Sequence, residues 1–189
     1  MEKRAILDVD STLWGFDEIL YKELYSLFPK IETPDKWNEW EFYQKYGISK
    51  NNFYKVVDKI HKQQEYYKPF KDASLFSYIL RKDYHVTIAS HRKPKYKEIL
   101  KKWLDSNEIT YDDIFVDNCK FHLFDNVDLV VDDSPIFLIE ARKRNAKMTC
   151  GLVYPWNKKL EKEFLLCEDL KELIIEIDKV SKFKFKRRF

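Results

Sequence analysis

From residue 73 onward, helical and strand patterns alternate along the chain, and this alternation restricts the possible folds more than any other feature of the sequence. Such an alternation is typical of an open parallel sheet with helices on both faces. The sequence therefore predicts a Rossmann-like α/β fold. The predicted helices are Ala73–Lys82, Lys95–Asn107, Phe137–Asn145, Leu160–Phe164 and Asp169–Lys179. The predicted strands in this part of the chain are His85–Ser90, Ile114–Val116, Leu129–Val131 and Met148–Val153.

The first predicted strand, Ala5–Val9, is followed by a segment of different composition. Residues 13–70 are rich in aromatic residues, and their other apolar residues recur at helical spacing. We therefore expect a small helical cap inserted after the first strand. In this division the core domain consists of residues 1–12 and 71–189, and the cap consists of residues 13–70.

The composition makes several classes of protein improbable on physical grounds. The 189 residues include only 3 Gly, which leaves no glycine-rich phosphate-binding loop. A net charge of +3 creates no strong overall field, so a highly basic nucleic-acid binder is not indicated. The wide spacing of Cys119, Cys150 and Cys167 predicts neither a disulfide framework nor a zinc site. With no signal peptide or membrane span expected, we predict a cytoplasmic protein without a membrane partner.

A first acidic site follows the first predicted strand, in the sequence Asp8-Val9-Asp10-Ser11-Thr12. Alternate residues of an extended segment point the same way, so Asp8 and Asp10 are expected to project together. In open α/β sheets ligands bind beyond the carboxyl ends of the strands, which is where this pair lies. Two neighbouring carboxylates repel each other unless one is protonated or a cation lies between them.

A second acidic site, Asp132-Asp133, follows the apolar run Leu129–Val131. A turn and helix N-cap before Pro135 would account for one polar residue here, but it does not require two acids. Carboxylates at the end of a buried strand are costly unless solvent or a cation stabilises them. The two sites together predict an oxygen-rich centre suited to Mg²⁺.

Two further residues are weak signals individually but follow an informative order. Ser90 ends a predicted strand, where its hydroxyl would either hold a phosphoryl oxygen or make a local turn. Lys120 lies between Ser90 and the second acidic site, and its ammonium would neutralise a phosphate. Arg92, Lys93 or Lys95 would be alternative sources of that cation.

This order of motifs resembles the haloacid dehalogenase superfamily of phosphatases. The resemblance rests on Asp8–Thr12, Ser90, Lys120 and Asp132-Asp133, and residues 13–70 look like the type 1 cap of that family. Among its subgroups the chain looks most like the 5'(3')-deoxyribonucleotidases. The size, the early cap, the late lysine and the sequence Tyr154–Asn157 carry that finer likeness.

The resemblance implies a covalent mechanism. Asp8 would attack phosphorus to give an aspartyl-phosphate, and Asp10 would act as general acid and then as general base. Asp8, the backbone carbonyl of Asp10, and Asp133 with or without Asp132 would bind Mg²⁺.

The same resemblance implies a phosphoryl site and a substrate site. Ser90 and Lys120 would hold the phosphoryl oxygens. We expect the substrate to be a small phosphorylated metabolite, most simply a nucleoside monophosphate, with aromatic cap residues stacking on its base. Trp37, Trp40 and Tyr43 are candidates for this stacking. The residues we predict to bind substrate are Thr12, Trp14, Phe16, His91 and Arg92.

Three other interpretations stay open at this stage. The substrate would instead be another small phosphometabolite or a phosphorylated nucleic-acid end. Alternatively, the basic and aromatic tail Lys182–Phe189 would make the chain a non-enzymatic nucleic-acid-binding module, although such a tail is equally typical of an edge strand or a frayed end. A receiver-type signalling domain also gathers acids, a hydroxyl and a lysine, but its acidic pair comes early in the chain. The oligomeric state is left open.

Overall fold

Six parallel strands form one open sheet in the computed structural model, which describes the backbone of residues 2–186 and the side chains of residues 2–181. The strand order is β3-β2-β1-β4-β5-β6. The strands are β1 Arg4–Leu7, β2 His85–Ser90, β3 Asp113–Val116, β4 Leu129–Val131, β5 Thr149–Leu152 and β6 Leu165–Cys167. The α-helices are α1 Phe16–Leu27, α2 Lys50–Lys62, α3 Ala73–Asp83, α4 Lys97–Ser106, α5 Pro135–Lys143 and α6 Leu170–Lys186.

Helices cover both faces of the sheet, as the alternating pattern predicts. Ala5 and Leu7 of β1 join a large apolar cluster that includes residues of α3, α4 and α6. Ile6, which points the opposite way, joins a second cluster with Phe137 and Ala141 of α5. The predicted Rossmann-like α/β class is therefore confirmed.

One predicted element is wrong. Leu160–Phe164 was expected to be a helix, but a short 3₁₀ turn ends at Leu160 and the chain then forms β6. Leucine favours helices by intrinsic propensity, so the local sequence gives little indication of a strand here. Parallel pairing of β6 with β5, which places Leu165 opposite Cys150, decides the conformation instead.

A helical segment lies between β1 and α3, and its two ends meet. The Phe70 N–H donates a hydrogen bond of 2.8 Å to the Leu13 carbonyl. Within the segment α1 packs against α2, and the rings of Trp37 and Phe42 stack with centroids 3.7 Å apart. The segment thus leaves and rejoins the core at a single point beside β1.

The C-terminal tail is helical as far as the structure describes its backbone. Helix α6 continues to Lys186, so an alternating edge strand is not formed there. Residues 187–189 lie outside the described part of the chain. None of the helices among the described residues combines the length and the apolar character that crossing a bilayer requires.

The order in which strands are added to the sheet reverses between β1 and β4. From β1 the chain adds β2 and β3 on one side, and then returns to place β4, β5 and β6 on the other. Such a switch point opens a crevice at the carboxyl ends of the two central strands. Asp8 follows β1 and Asp132 follows β4. The crevice is therefore flanked by the two acidic sites of the sequence.

Candidate active site

The two acidic sites meet in space. Leu7 pairs with Val131, and the Asp8 N–H donates to the Val131 carbonyl at 2.9 Å, so Asp8 and Asp132 follow neighbouring strands in register. Carboxylate oxygens of Asp8, Asp132 and Asp133 all lie within 4.8 Å of one another. All three residues are buried. The structure thus brings Asp8 beside Asp132, which is 124 residues away in the sequence.

Lys120 supplies the positive charge within this acidic cluster. Its side chain is fully buried, and its ammonium donates to the Ala89 carbonyl at 3.0 Å. The same ammonium forms ion pairs with Asp132 at 2.7 Å and with Asp8. Burial lowers the pKa of Lys120, but Asp132 and Asp8 raise it by more than burial lowers it, so the ammonium stays charged.

The cluster carries more negative charge than one lysine can neutralise. Burial raises the pKa of Asp8 to about 7, against the opposing effect of Lys120. Burial and the charge of Asp132 raise the pKa of Asp133 well above its usual value. Two buried carboxyls held this close together form a site that a cation would stabilise.

The residues present fit a hard divalent ion. The cluster offers oxygen donors alone, as Mg²⁺ prefers. The hydroxyl of Ser134, buried beside Asp133, has no hydrogen-bond partner. Such a group is the kind that a metal-bound water would satisfy. Asp8, Asp132 and Asp133 are therefore the side chains that would hold the ion, while the predicted contribution of the Asp10 carbonyl stays a prediction.

The Asp10 side chain lies outside this acidic cluster and is surrounded by donors. One of its oxygens accepts from Arg92 at 2.7 Å and from the Trp14 indole at 3.0 Å. The other lies 2.8 Å from Nε2 of His61. Burial would raise the pKa of Asp10, but Arg92 and His61 hold it well below its usual range. Asp10 is therefore ionised in this arrangement.

Arg92 connects Asp10 with two other polar groups. Its Nε donates to the hydroxyl of Ser90 at 2.6 Å, and a terminal nitrogen donates to Gln64. Arg92 is 3% exposed and Ser90 is 1% exposed. Arg92 therefore joins Asp10 and Ser90 in one hydrogen-bonded network beside the acidic cluster.

A cavity of about 390 Å³ lies between the acidic cluster and the helical segment. On the sheet side it is bordered by Asp8, Asp132 and Asp133, together with His91. The opposite wall is largely aromatic, with acidic Asp17 and Glu41 and basic Lys50 among the rings. These aromatic residues are Phe16, Trp37, Trp40, Phe42, Tyr43, Phe53 and Tyr54.

Three of the residues predicted to bind substrate do not lie at this cavity. Trp14 is 1% exposed because its ring stacks on Tyr67 within the core. Thr12 is fully buried, and Arg92 is occupied by Asp10 and its other partners. Thr12, Trp14 and Arg92 therefore do not line this cavity, and their substrate contacts stay predictions. Phe16 and His91 do line the cavity, so their role stays a prediction.

Several residues at the site gave no usable signal in the sequence. His61 and Gln64, at the end of α2 and just beyond it, reach Asp10 and Arg92 across 51 and 28 residues. Trp156 donates to the Asp133 carboxylate at 3.1 Å, and Asn157 donates to the Asp133 carbonyl at 2.8 Å. Such long-range contacts have no local pattern, although the sequence Tyr154–Asn157 stood out for its resemblance.

Two backbone details shape the site. Ser11 has a φ of 55°, in the left-handed region that glycine adopts at lower cost. This turn directs the chain away from the sheet directly after Asp10. In β5 a Cβ at Gly151 would lie 2.0 Å from the Asp132 carbonyl oxygen, so only glycine allows β5 to approach the acidic cluster this closely.

The fold is similar to that of solved structures described as haloacid dehalogenase-like. Solved structures with this fold share 13% sequence identity with the chain in two cases and 16% in a third. No family model matches the chain, and no curated protein matches it. At these identities the comparisons establish the fold.

Three solved structures illustrate the likeness. The haloacid dehalogenase-like family protein SP0104 from Streptococcus pneumoniae has a TM-score of 0.66, covering 93% of this chain and 98% of that one. A haloacid dehalogenase family hydrolase from Deinococcus radiodurans R1, with bound phosphate and sodium, has a TM-score of 0.62 with 91% and 93% covered. YfnB from Bacillus subtilis, bound to magnesium, has a TM-score of 0.60 with 94% and 100% covered.

Proposed function

We propose that this protein is a Mg²⁺-dependent phosphomonoester hydrolase that works through an aspartyl-phosphate on Asp8. The observation that carries the proposal is the convergence of Asp8, Asp132 and Asp133 around the buried ammonium of Lys120 at the switch point. The resemblance of the sequence motifs to haloacid dehalogenase phosphatases supports the same chemistry. The structures with bound phosphate and with magnesium have this fold too.

In the first step an Asp8 oxygen attacks phosphorus, and the bond from phosphorus to the ester oxygen breaks. The leaving alcohol takes its proton from Asp10. A phosphate dianion beside Asp10 raises the pKa of that carboxyl, and Asp10 takes up this proton from solvent as substrate binds; in later cycles the proton comes from the water of the second step. In the second step Asp10 removes a proton from water, the water oxygen attacks phosphorus, and the bond to Asp8 breaks to release inorganic phosphate.

Charge compensation at the site favours both steps. Lys120 lies against Asp8, so its ammonium offsets part of the charge that a phosphate brings to the nucleophile. Asp8, Asp132 and Asp133 would hold Mg²⁺, and the bound ion would supply further positive charge for the phosphoryl oxygens. Ser90 is proposed to hold a phosphoryl oxygen through its hydroxyl, which accepts from Arg92 and keeps its own proton to donate.

For the substrate we propose a nucleoside monophosphate. The cavity has the size of a small-molecule site, and its wall opposite the acids is aromatic. Trp40 is 38% exposed and Tyr54 is 42% exposed, which leaves ring surface for stacking on a base. We further propose that residues 13–70 form the cap unit that selects the substrate, and that the protein works in the cytoplasm.

A substrate screen tests this proposal. Purified protein is assayed for phosphate release from nucleoside monophosphates, sugar phosphates, phosphoglycolate and 5'-phosphorylated oligonucleotides, each with Mg²⁺ or with EDTA. We expect Mg²⁺-dependent release, fastest from nucleoside monophosphates, and a phosphorylated Asp8 peptide after acid quenching. Mg²⁺-dependent release with a preference for sugar phosphates would overturn only the nucleotide assignment. Release that persists in EDTA, or no release from any ester, would overturn the mechanism.

A further inference from the structure

Asp10 is held at both oxygens by residues that connect it to the helical segment. His61 belongs to α2, and its Nε2 lies 2.8 Å from one Asp10 oxygen. Arg92 lies 2.7 Å from the other Asp10 oxygen and donates at the same time to Gln64, two residues beyond α2. The end of α2 thus reaches Asp10 directly through His61 and indirectly through Gln64 and Arg92.

The burial of this network shows that it is part of the interior. His61 is 2% exposed, Gln64 is fully buried and Arg92 is 3% exposed. A buried charge such as Arg92 is tolerated only with close partners, which Asp10, Ser90 and Gln64 provide. His61 also borders the cavity, packed between Phe16 and Tyr96. Its ring is therefore fixed by packing on two sides while it contacts Asp10.

We infer that His61 is a positioning residue for Asp10, so that proton transfer at the active site requires the end of α2 in place. This inference rests on the proposed function. Two side chains of the helical segment between β1 and α3 hydrogen-bond to the Asp10 carboxylate in the described part of the chain. They are the Trp14 indole, at the beginning of the segment, and the His61 ring. Removing the His61 ring leaves one Asp10 oxygen free to turn away from the leaving group.

The experiment separates steps that need Asp10 from a step that does not. The expulsion of p-nitrophenolate needs no proton, whereas the expulsion of an alkoxide does, and kcat/KM reports events up to release of the alcohol. For His61→Ala we expect kcat/KM on an alkyl phosphate, either the best substrate of the screen or glycerol phosphate, to fall about 100-fold. On p-nitrophenyl phosphate kcat/KM should stay within about 3-fold of the original protein.

The second half-reaction gives an independent readout. Hydrolysis of the aspartyl-phosphate also needs Asp10, so kcat on p-nitrophenyl phosphate should fall together with KM in His61→Ala. A burst of p-nitrophenolate should then precede the slow steady state. His61→Gln, which keeps an N–H donor near the same position, should recover alkyl phosphate hydrolysis to within about 10-fold of the original. Lys62→Ala, an exposed change on the same turn of α2, is the matched control and should leave both substrates unaffected.

The possible outcomes are distinct. If His61→Ala lowers kcat/KM equally on the two esters, or lowers it on neither, the positioning role of His61 is overturned. If His61→Ala unfolds, His61→Phe takes its place, because it keeps a ring between Phe16 and Tyr96 but offers no N–H donor. It should lose kcat/KM on the alkyl phosphate and keep it on p-nitrophenyl phosphate. Failure of the proposed function is a separate result, since the unaltered protein would then form no phosphorylated Asp8 from either ester.

Discussion

Asp8 and Asp10 are two residues apart in the chain, yet their carboxylates lie in opposite electrostatic environments. Asp8 faces two further acids and shares Lys120 with Asp132. Burial, together with the charge of Asp132, raises the pKa of Asp8 to about 7. Asp10 faces a buried arginine, a histidine and an indole donor, and its pKa lies well below the usual range despite burial. The comparison shows that environment, and not residue type, sets the charge state of two carboxyls that are close in the chain.

The same contrast explains why each carboxylate needs a different partner. The Asp8 cluster has an excess of negative charge that a divalent cation would neutralise. The Asp10 cluster is already neutralised by protein groups, so it gains nothing from a metal at its carboxylate. Three predictions test this difference, and a fourth concerns a carboxyl at the cavity outside both clusters.

The largest effect is expected from Asp8→Asn. The amide is a poor nucleophile, so phosphatase activity should fall by about 10⁴-fold or more. Because the substitution removes one negative charge from a crowded acidic cluster, the free energy of unfolding at pH 7 should be unchanged or higher. Steady-state assays and thermal unfolding measure the two effects. An active and folded Asp8→Asn protein would remove Asp8 as the nucleophile.

Asp10→Asn should have the opposite effect on stability. It leaves the buried Arg92 guanidinium without its carboxylate, which costs about 3 kcal/mol of unfolding free energy. Urea unfolding of Asp8→Asn and Asp10→Asn side by side provides the comparison. If both variants are equally stable, the two carboxylates do not differ electrostatically as the structure indicates.

Magnesium should stabilise the protein through the Asp8 cluster alone. A ligand present at about 100 times its Kd raises the unfolding free energy by about 2.7 kcal/mol. We expect a Mg²⁺-dependent rise in Tm that Asp133→Asn abolishes, while Glu161→Gln, an exposed carboxylate control, keeps it. A Mg²⁺ response that survives in Asp133→Asn would place the ion elsewhere.

Asp17, at the cavity, should give the smallest effect. Burial raises its pKa from 3.8 to about 6, so the folded state binds this proton more tightly than the unfolded state does. The protein should therefore lose stability as pH rises through that interval, and Asp17→Asn should not. Chemical unfolding of both proteins between pH 4 and 7 tests the sign, with parallel curves as the contradicting result.

The sequence predicted the strands of the sheet better than the side-chain contacts of the helical segment that follows β1. Strands β1, β2, β3 and β4 were recognised because short apolar runs end in turn-forming or acidic residues, a strictly local signal. Strand β6 was missed because Leu165 and Leu166 have no local preference for a strand and depend on β5. An aromatic residue near Asp10 suits either a ligand site or a core, and only the packing of Trp14 on Tyr67 shows that its ring is buried.

By itself, the sequence determined the alternation of strands and helices and the placement of acids after β1 and β4, since both depend on neighbouring residues. Parallel strands carry their carboxyl ends to one edge, so those acids had to approach one another once the sheet formed. The tertiary structure alone decided that Asp10 turns toward Arg92 and His61 while Asp8 faces Lys120. These contacts join residues 51 to 112 positions apart. The loops after β2 and β3 bring Arg92 and Lys120 to the site, and packing of the helical segment on the sheet brings His61.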